Sequence, residues 1–276
     1  MESNVKSTVF VVDDNDTFLS QFDAALKNHY NVITASSGSK MFNILEKVTP
    51  HLIVLDIEMP EMDGFEILSK LKASKDHSGI PVIFLSGVQD AAMETKGFRM
   101  GVADFIEKPF TAPIVSNRIK LQLNLQSLKK NPVNKKDIDI PKPEPKTIFA
   151  VDDSDTILSQ IEKSLKNHYN VMTMSSGKKM FSILEKVTPH LIMLDIEMPE
   201  MDGFEILSKL KANKDHSGIP VIFLSGVQDA TMETKGFRMG VADFIEKPFT
   251  APIVSNRIRL QLQLLDLKKN PKSTQR

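Results

Sequence analysis

The sequence predicts two α/β domains in tandem, each built on a parallel, doubly wound five-stranded sheet. A length of 276 residues leaves room for two domains of ordinary size. The segment Val11-Val12-Asp13-Asp14 returns 139 positions later as Ala150-Val151-Asp152-Asp153, which indicates an internal duplication. Within each copy, short apolar segments alternate with segments of helical spacing, a pattern typical of parallel sheets covered by helices on both faces.

The duplication places the domain boundaries. About 85 % of the positions from Thr8 to Pro132 are identical in the second copy. Between the copies, residues 131–146 contain four prolines among lysines and acidic residues, with little apolar surface to bury. That composition predicts a semi-extended linker. We therefore assign residues 1–130 to the first domain, 131–146 to the linker and 147–276 to the second domain.

Five segments of the first copy are short, rich in Val, Ile, Leu and Phe, and predict strands: Thr8–Val12, Tyr30–Ala35, Leu52–Asp56, Pro81–Ser86 and Asp104–Glu107. Several are apolar on successive residues, as expected of strands that are buried on both faces. Five strand–helix units in series imply right-handed crossovers within one parallel sheet. Among doubly wound sheets the order 2-1-3-4-5 is favoured, although periodicity alone does not fix it.

The segments between these strands have apolar residues at helical spacing. The first helix follows a candidate N-cap at Asp16-Thr17, the second follows Ser36-Ser37-Gly38, and the third follows Asp63-Gly64. A longer final helix is predicted over Ile114–Leu128. The second copy repeats this arrangement.

Composition excludes several classes of function. Lys and Arg together number 35, as do Asp and Glu, so no excess of charge favours nucleic acid or a membrane surface as a partner. Cysteine is absent, which excludes disulfides, thiolate metal sites and cysteine nucleophiles. No apolar stretch approaches the length of a transmembrane helix. We expect a cytoplasmic protein.

Polar residues follow the predicted strands at their carboxyl ends. Asp13 and Asp14 follow the first strand, Asp56 and Ser86 end the third and fourth, and Lys108 follows the fifth. Because the carboxyl ends of parallel strands meet at one edge of an open sheet, these side chains are expected to share one pocket.

Three carboxylates brought together in this way repel one another. At about 5 Å and an effective dielectric constant near 20, each pair costs roughly 3 kcal/mol. A proton, a lysine or a divalent cation must offset that cost, and clustered carboxylate oxygens suit Mg²⁺ or Mn²⁺. Lys108 adds a point charge that is able to contact a phosphoryl oxygen. The combination predicts phosphoryl transfer to an aspartate.

These motifs resemble those of the receiver (CheY-like) domain of two-component response regulators, whose fold is flavodoxin-like. The resemblance rests on Asp13-Asp14, on Asp56 within Asp-Ile-Glu-Met-Pro-Glu-Met-Asp-Gly, on Ser86-Gly87 and on Lys108-Pro109. It covers nearly all of each copy. The resemblance implies a phospho-acceptor that is not an enzyme in its own right, although it assists its own phosphorylation and dephosphorylation.

By this resemblance, Asp56 is the phospho-acceptor. Asp14 is a direct ligand of Mg²⁺, Asp13 acts mainly through a metal-bound water, and Glu58 contributes its backbone carbonyl. A receiver also has a cis peptide bond before the proline that follows its conserved lysine, so we expect cis Lys108-Pro109.

The resemblance implies further roles for three residues of the first copy. Ser86 and Lys108 contact the phosphoryl group, and Phe105 is the switch aromatic, here lacking the hydroxyl of the more usual tyrosine. In the second copy the acceptor, metal, phosphoryl and switch roles fall to Asp195, Asp153, Asp152, Glu197, Ser225, Lys247 and Phe244, with cis Lys247-Pro248.

The same resemblance names the expected partners. The phosphoryl donor is a phosphohistidine on a histidine kinase or a histidine phosphotransfer protein. No DNA-binding, cyclase or kinase pattern follows the second copy, so we expect output through contact with a downstream protein. Alternatively, the chain is the N-terminal receiver portion of a longer regulator whose effector is absent.

Two matching domains on one chain also suggest pairing. Lys96, Asp104 and Arg118 resemble part of the charge set with which DNA-binding response regulators pair, although Ile114 stands where a glutamate is expected. The two copies could pair as a pseudo-twofold dimer within one chain, or the chain could form a homodimer. Differences between the copies gather in the first helix, which is consistent either with different donors or with neutral drift.

A phosphatase is the alternative enzyme hypothesis. The segment Asp14-Asn15-Asp16 resembles the nucleophile motif of haloacid-dehalogenase phosphatases, with Asp14 as nucleophile, Asp16 as acid, and Ser86 and Lys108 in support. That hypothesis leaves Asp56 unexplained and lacks the late acidic pair of that family.

Overall fold

The computed structural model describes residues 6–130 and 145–269. The chain divides into two compact units between Gln126 and Ser127, near the end of the last helix of the first copy. Most of the predicted linker, residues 131–144, lies outside the described residues, so its conformation stays a prediction.

The first unit has five strands and five helices in strict alternation. In chain order they are β1 (Thr8–Val12), α1 (Asp16–Leu26), β2 (Asn31–Ala35), α2 (Gly38–Leu45), β3 (Leu52–Asp56), α3 (Gly64–Ala73), β4 (Val82–Ser86), α4 (Ala91–Arg99), β5 (Asp104–Glu107) and α5 (Ala112–Lys130). All neighbouring strands are parallel, and their order is β2-β1-β3-β4-β5. The predicted doubly wound fold and its strand order are confirmed.

The second unit repeats this architecture. Its elements are β6 (Thr147–Val151), α6 (Asp155–Leu165), β7 (Asn170–Met174), α7 (Gly177–Leu184), β8 (Leu191–Asp195), α8 (Gly203–Ala212), β9 (Val221–Ser225), α9 (Ala230–Met239), β10 (Asp243–Glu246) and α10 (Ala251–Lys269). The sheet order β10-β9-β8-β6-β7 is the same order 2-1-3-4-5, counted from the other edge.

The strand register brings the predicted site residues to one edge of the sheet. Val12 lies opposite Leu55, so the residues that follow them, Asp13 and Asp56, are neighbours at the ends of adjacent strands. Every residue of β3 and β4 is buried, which explains their continuous apolar sequences. The site therefore lies at the end of two fully buried strands.

The core of the first unit lies between the sheet and the helices on its two faces. On the face covered by α1 and α5, a single cluster joins Val9, Val11, Leu19, Phe22, Leu26, Leu52, Val54, Ile83, Leu85, Ile106, Val115 and Ile119. The second unit has the corresponding cluster with Ile161 in place of Phe22. Over the described residues, the helices are too short or too polar to cross a bilayer.

The predicted N-cap of α1 is corrected by one residue. Asn15 has extended backbone angles and its side-chain oxygen accepts a hydrogen bond from the Thr17 N–H at 2.9 Å, so Asn15 is the N-cap. Asp16 begins the helix instead, where a negative charge favours the positive end of the helix dipole. The caps of α2 and α3 are Ser37 and Asp63, as the sequence indicated.

Gly64 is required by a close approach between α3 and the end of β3. A Cβ at Gly64 would lie 2.6 Å from the carbonyl oxygen of Asp56 and 2.9 Å from the Cα of Ile57, both backbone atoms that cannot move aside. We expect Gly64→Ala with its counterpart Gly203→Ala to destabilise both domains by about 1–3 kcal/mol each. Thermal unfolding should show a Tm that is several degrees lower.

Gly79→Ala combined with Gly218→Ala is the matched control, because a Cβ at either position meets nothing within 4 Å. Its Tm should stay close to that of the wild type. Equal losses from the two glycine pairs would contradict the steric argument.

Candidate functional site

Three carboxylates meet at the carboxyl end of the first sheet. Oxygen atoms of Asp13, Asp14 and Asp56 all lie within 4.8 Å of one another. Asp13 and Asp56 are 0 % and 4 % exposed, whereas Asp14 is exposed to solvent. The predicted convergence of these residues is therefore found, with two acids buried and one accessible from outside.

Lys108 lies against the two buried acids. Its Nζ donates to the Asp13 carboxylate at 2.7 Å and lies 3.0 Å from the Asp56 carboxylate. The Lys108 backbone N–H donates to the Ser86 carbonyl at 2.7 Å, which ties the turn after β5 to the end of β4. The Lys108-Pro109 and Lys247-Pro248 bonds are both cis, as predicted.

The second unit contains the same arrangement. Asp152, Asp153 and Asp195 also have oxygen atoms within 4.8 Å of one another. The Nζ of Lys247 lies 2.6 Å from the Asp152 carboxylate and 2.8 Å from that of Asp195. The duplication has thus preserved a complete site in each copy.

Burial and the neighbouring charges act in opposite directions on the acceptor candidates. Burial raises the pKa of Asp56, the hydrogen bond from Lys108 lowers it, and the nearby Asp13 charge raises it again, with a net upward shift. The pKa of Asp195 is raised for the same reasons, with Lys247 and Asp152 as the neighbours. Ionisation of each of these carboxylates therefore has a higher free-energy cost than that of an ordinary aspartate.

Burial has the opposite effect on the pKa values of the two lysines. Burial alone would lower the pKa of Lys108, but its hydrogen bonds to Asp13 and Asp56 outweigh that effect and the pKa is raised. Lys247 has a raised pKa for the same reasons. Both lysines are therefore fully charged at neutral pH.

Ser86 lies at the end of β4, beside the acidic cluster, but its hydroxyl is engaged elsewhere. The Oγ donates to the Val88 carbonyl at 2.6 Å and accepts from the Val88 N–H at 3.2 Å. Ser225 makes the same pair of contacts with Val227. Before either serine hydroxyl can contact a phosphoryl group, it must break its hydrogen bonds to the valine two residues further along the chain.

Glu58 follows the acceptor candidate by two residues. Its side chain is exposed, and its backbone N–H makes a hydrogen bond to the Asp56 carboxylate. In the second unit, Glu197 has the same exposure and the same backbone contact with Asp195. The role predicted for the two backbone carbonyls as metal ligands stays a prediction.

Phe105, the switch candidate, is 4 % exposed and lies inside a group of aromatic rings. Its centroid is 5.6 Å from that of Phe84 and 5.1 Å from that of Phe98. The ring also fills the space that Gly97 leaves in α4, where a Cβ would lie 2.6 Å from the Phe105 Cζ. Phe244 and Gly236 repeat this contact.

Phe18 is a site residue that the sequence did not predict. The Nζ of Lys108 lies 4.4 Å from the centroid of the Phe18 ring, within the range of a cation–π contact. The sequence offered one indication of its importance. Phe18 follows Asp13-Asp14 by about one helical turn and is replaced by Ile157 in the second copy.

The acidic clusters fit a small divalent cation. Two oxygens on opposite sides of Mg²⁺ are about 4.2 Å apart, since each Mg–O distance is about 2.1 Å. The oxygens of Asp13, Asp14 and Asp56 lie within 4.8 Å of one another, which is close to that span, and all are the hard donors that Mg²⁺ prefers. The exposed Asp14 leaves one side of the cluster open to water or to a ligand.

Comparison with known proteins identifies the class. The family described as the response regulator receiver domain matches residues 9–120 and again residues 148–259. The chain belongs to this family and contains two of its domains in tandem.

Individual relatives share one or both domains. The chain is 37 % identical over 117 residues to a Vibrio cholerae protein named as a probable cyclic di-GMP phosphodiesterase, covering 42 % of this chain and 26 % of that protein. It is 22 % identical over 271 residues to the response regulator PleD of Caulobacter vibrioides, covering 94 % of this chain and 60 % of PleD. The chain thus spans less than two thirds of the length of either relative.

Among solved structures, the comparison matches the Vibrio cholerae chemotaxis protein CheY4. It is 23 % identical, and the match covers 42 % of this chain and 97 % of that protein with a TM-score of 0.41.

The raised pKa values of Asp56 and Asp195 predict a gain in stability when both are replaced by asparagine. In the absence of divalent cations at neutral pH, the double variant loses two buried anions, so its Tm should rise by about 3 °C or more. Because the folded-state pKa of each acid lies above its unfolded value, the wild type itself becomes more stable as pH falls through the raised pKa.

The difference between variant and wild type should therefore be largest at neutral pH and shrink in acid. Thermal unfolding followed by circular dichroism with a chelator present, at several pH values, measures it. A double variant that is less stable than the wild type at neutral pH would show that the lysine contacts outweigh burial.

Proposed function

We propose that both receiver domains accept phosphate, on Asp56 and Asp195, from a phosphohistidine donor with Mg²⁺ bound. One observation carries this proposal: in each domain the buried carboxylate that ends the third strand lies beside an accessible acid, a second buried acid and a charged lysine. That set supplies a nucleophile, ligands for a cation and a counter-charge for a phosphoryl group.

The reaction is a direct transfer between two nucleophilic atoms. A carboxylate oxygen of Asp56 attacks the phosphorus, and an O–P bond forms as the N–P bond of the phosphohistidine breaks. The electron pair of the broken bond stays on the imidazole nitrogen of the donor. The pKa of Asp56 is raised, so its ionised oxygen is a better nucleophile than that of an ordinary aspartate, and the positive charge of Lys108 favours the ionised form.

The metal ligands in this proposal are Asp14 directly, Asp13 through a water molecule, and the Glu58 carbonyl. Asp153, Asp152 and Glu197 have the same roles in the second domain. Mg²⁺ would neutralise charge on the phosphoryl oxygens during transfer. The accessibility of Asp14, beside two buried acids, supports its assignment as the outermost ligand.

Phosphorylation then changes the state of the domain. Lys108 shifts its contact from the Asp56 carboxylate to a phosphoryl oxygen, and the Ser86 hydroxyl leaves the Val88 carbonyl for the same group. The movement of Ser86 is transmitted to Phe105, whose ring packs on Phe84 in the same strand as Ser86. Ser225, Lys247 and Phe244 act likewise in the second domain.

The donor is a histidine kinase or a histidine phosphotransfer protein, and the signal passes to a downstream protein in the cytoplasm. The relatives named as a response regulator, a phosphodiesterase and a histidine kinase all carry receivers in longer chains. An effector joined to these two receivers is the alternative form of output.

The phosphatase alternative, with Asp14 as nucleophile, is less well supported. Asp14 is exposed, and neither of the Lys108 ion pairs reaches it. Asp56 has the buried position, the lysine contact and the raised pKa that a stable phospho-aspartate site needs.

Phosphorylation by a small-molecule donor tests the proposed function. Incubation of the whole chain with acetyl phosphate and Mg²⁺ should add one phosphoryl group per domain, measured by intact mass. Asp56→Ala and Asp195→Ala should each lose one group, and the double variant should lose both. A chelator should abolish the reaction because the clustered carboxylates then lack a cation.

Peptide mapping of the phosphorylated wild-type chain after borohydride trapping identifies the modified aspartate. Label on Asp14 rather than Asp56 would support the phosphatase alternative and contradict the acceptor assignment.

Pairing of the two receivers, within one chain or between two chains, stays a prediction from the sequence. We expect beryllofluoride with Mg²⁺, a mimic of the phosphoryl group, to reduce the radius of gyration of a monomer or to double the molecular mass in solution scattering. Unchanged scattering curves would contradict both forms of pairing.

A further inference from the structure

The two phosphoryl sites share every acid and lysine but differ on the side that faces the first helix. Phe18 in α1 is replaced by Ile157 in α6, and Phe22 by Ile161. The site residues that the sequence predicted are identical in kind between the copies. Any difference in chemistry between the two sites must therefore come from their surroundings.

In the first domain, Phe18 contacts both the lysine and its turn. The Lys108 Nζ lies 4.4 Å from the centroid of the Phe18 ring, in addition to its contacts with the Asp13 and Asp56 carboxylates. The same ring lies 5.6 Å from that of Phe110, which in turn lies 4.6 Å from the ring of Phe22. An aromatic group thus joins α1 to the turn that carries the lysine.

In the second domain, the turn that carries Lys247 makes different contacts with the first helix of the domain. Ile157 packs against the hydrophobic core, and Phe249 is 5 % exposed within it. The Gln160 Nε2 donates to the Phe249 carbonyl at 2.8 Å. Among the lysine–ring contacts of the described residues, none involves Lys247, whose side chain is 18 % exposed compared with 14 % for Lys108.

We propose that Phe18 is a positioning residue for Lys108, and that it makes the Asp56 site hold a phosphoryl anion more tightly than the Asp195 site. This inference rests on the proposed function, since it concerns the lysine that receives the phosphoryl oxygen. The ring restricts the ammonium to the region that the anion enters, so less freedom is lost when the contact forms. The ring also removes water from one side of the ammonium, which strengthens its attraction to the anion.

Beryllofluoride binding to single-site variants measures this difference. Asp195→Asn leaves the Asp56 site alone, and Asp56→Asn leaves the Asp195 site alone. The dissociation constant at each site is obtained by titration at fixed Mg²⁺, with the bound species followed by fluorine NMR. We expect the Asp56 site to bind on the order of fivefold more tightly, which corresponds to one cation–π contact.

Exchange of the ring between the copies is the decisive comparison. Phe18→Ile, which introduces the residue that the second domain already tolerates, should weaken binding at Asp56 by about fivefold. Phe18→Tyr retains the ring and should restore the affinity, while Ile157→Phe should tighten binding at Asp195. Phe22→Ile is the matched control, because it removes an aromatic contact with Phe110 but leaves the ring over Lys108; it should leave the affinity unchanged.

Thermal unfolding of each variant verifies that it is folded before titration. Equal affinities at the two sites, or an equal effect of Phe18→Ile and Phe22→Ile, would overturn the inference while beryllofluoride binding still supported the proposed function. Absence of binding at both sites would overturn the proposed function and this inference with it.

Discussion

The ion pairs between Lys108 and the two buried acids are the interaction on which the first domain's site depends. Asp13 and Asp56 are almost fully buried and lie close together, so the positive charge of Lys108 in contact with both offsets the cost of burying two carboxylates. That charge lies 95 residues from Asp13 along the chain, and only the closed fold brings the two together. The second domain solves the same problem with Lys247, Asp152 and Asp195.

Lys108 offsets only part of the free-energy cost of burying the Asp56 charge, and the remaining cost favours ligand binding. The pKa of Asp56 stays raised in spite of Lys108, so the anion is held at a cost that a bound cation or a phosphoryl group can relieve. A site of this kind binds a cation because the cation removes repulsion that the fold imposes. The stable core of β3 and β4 supplies the rigidity that keeps the acids together.

The duplicated chain offers an internal comparison that a single receiver lacks. The acids and the lysine at the sheet edge are the same in both copies, whereas α1 differs from α6 at several residues, including the one whose ring contacts the lysine. Identical chemistry in two different surroundings separates the contribution of the reacting residues from that of the residues around them. The two domains are thus each other's control.

The amino-acid pattern was sufficient for much of this description. Continuous apolar runs that end in Asp56 and Ser86 located the buried strands to within one residue; the predicted strand from Pro81 begins at Val82, because proline has no N–H for the sheet, although its carbonyl accepts from Ile53. The convergence of the acids and the lysine could also be predicted from the sequence. Each of them lies at the carboxyl end of a strand, and parallel strands place all their carboxyl ends on one edge of the sheet.

The contacts of α1 depended on the tertiary structure. The N-cap at Asn15 and the ring of Phe18 over Lys108 follow from the rotation of the helix against the sheet and from its distance to the turn after β5. Apolar spacing shows which face of a helix is buried but not which side chain reaches across to a distant turn. Sequence alone therefore determined the fold and the acids and lysine that meet at the sheet edge, and packing between distant segments decided how each lysine is held.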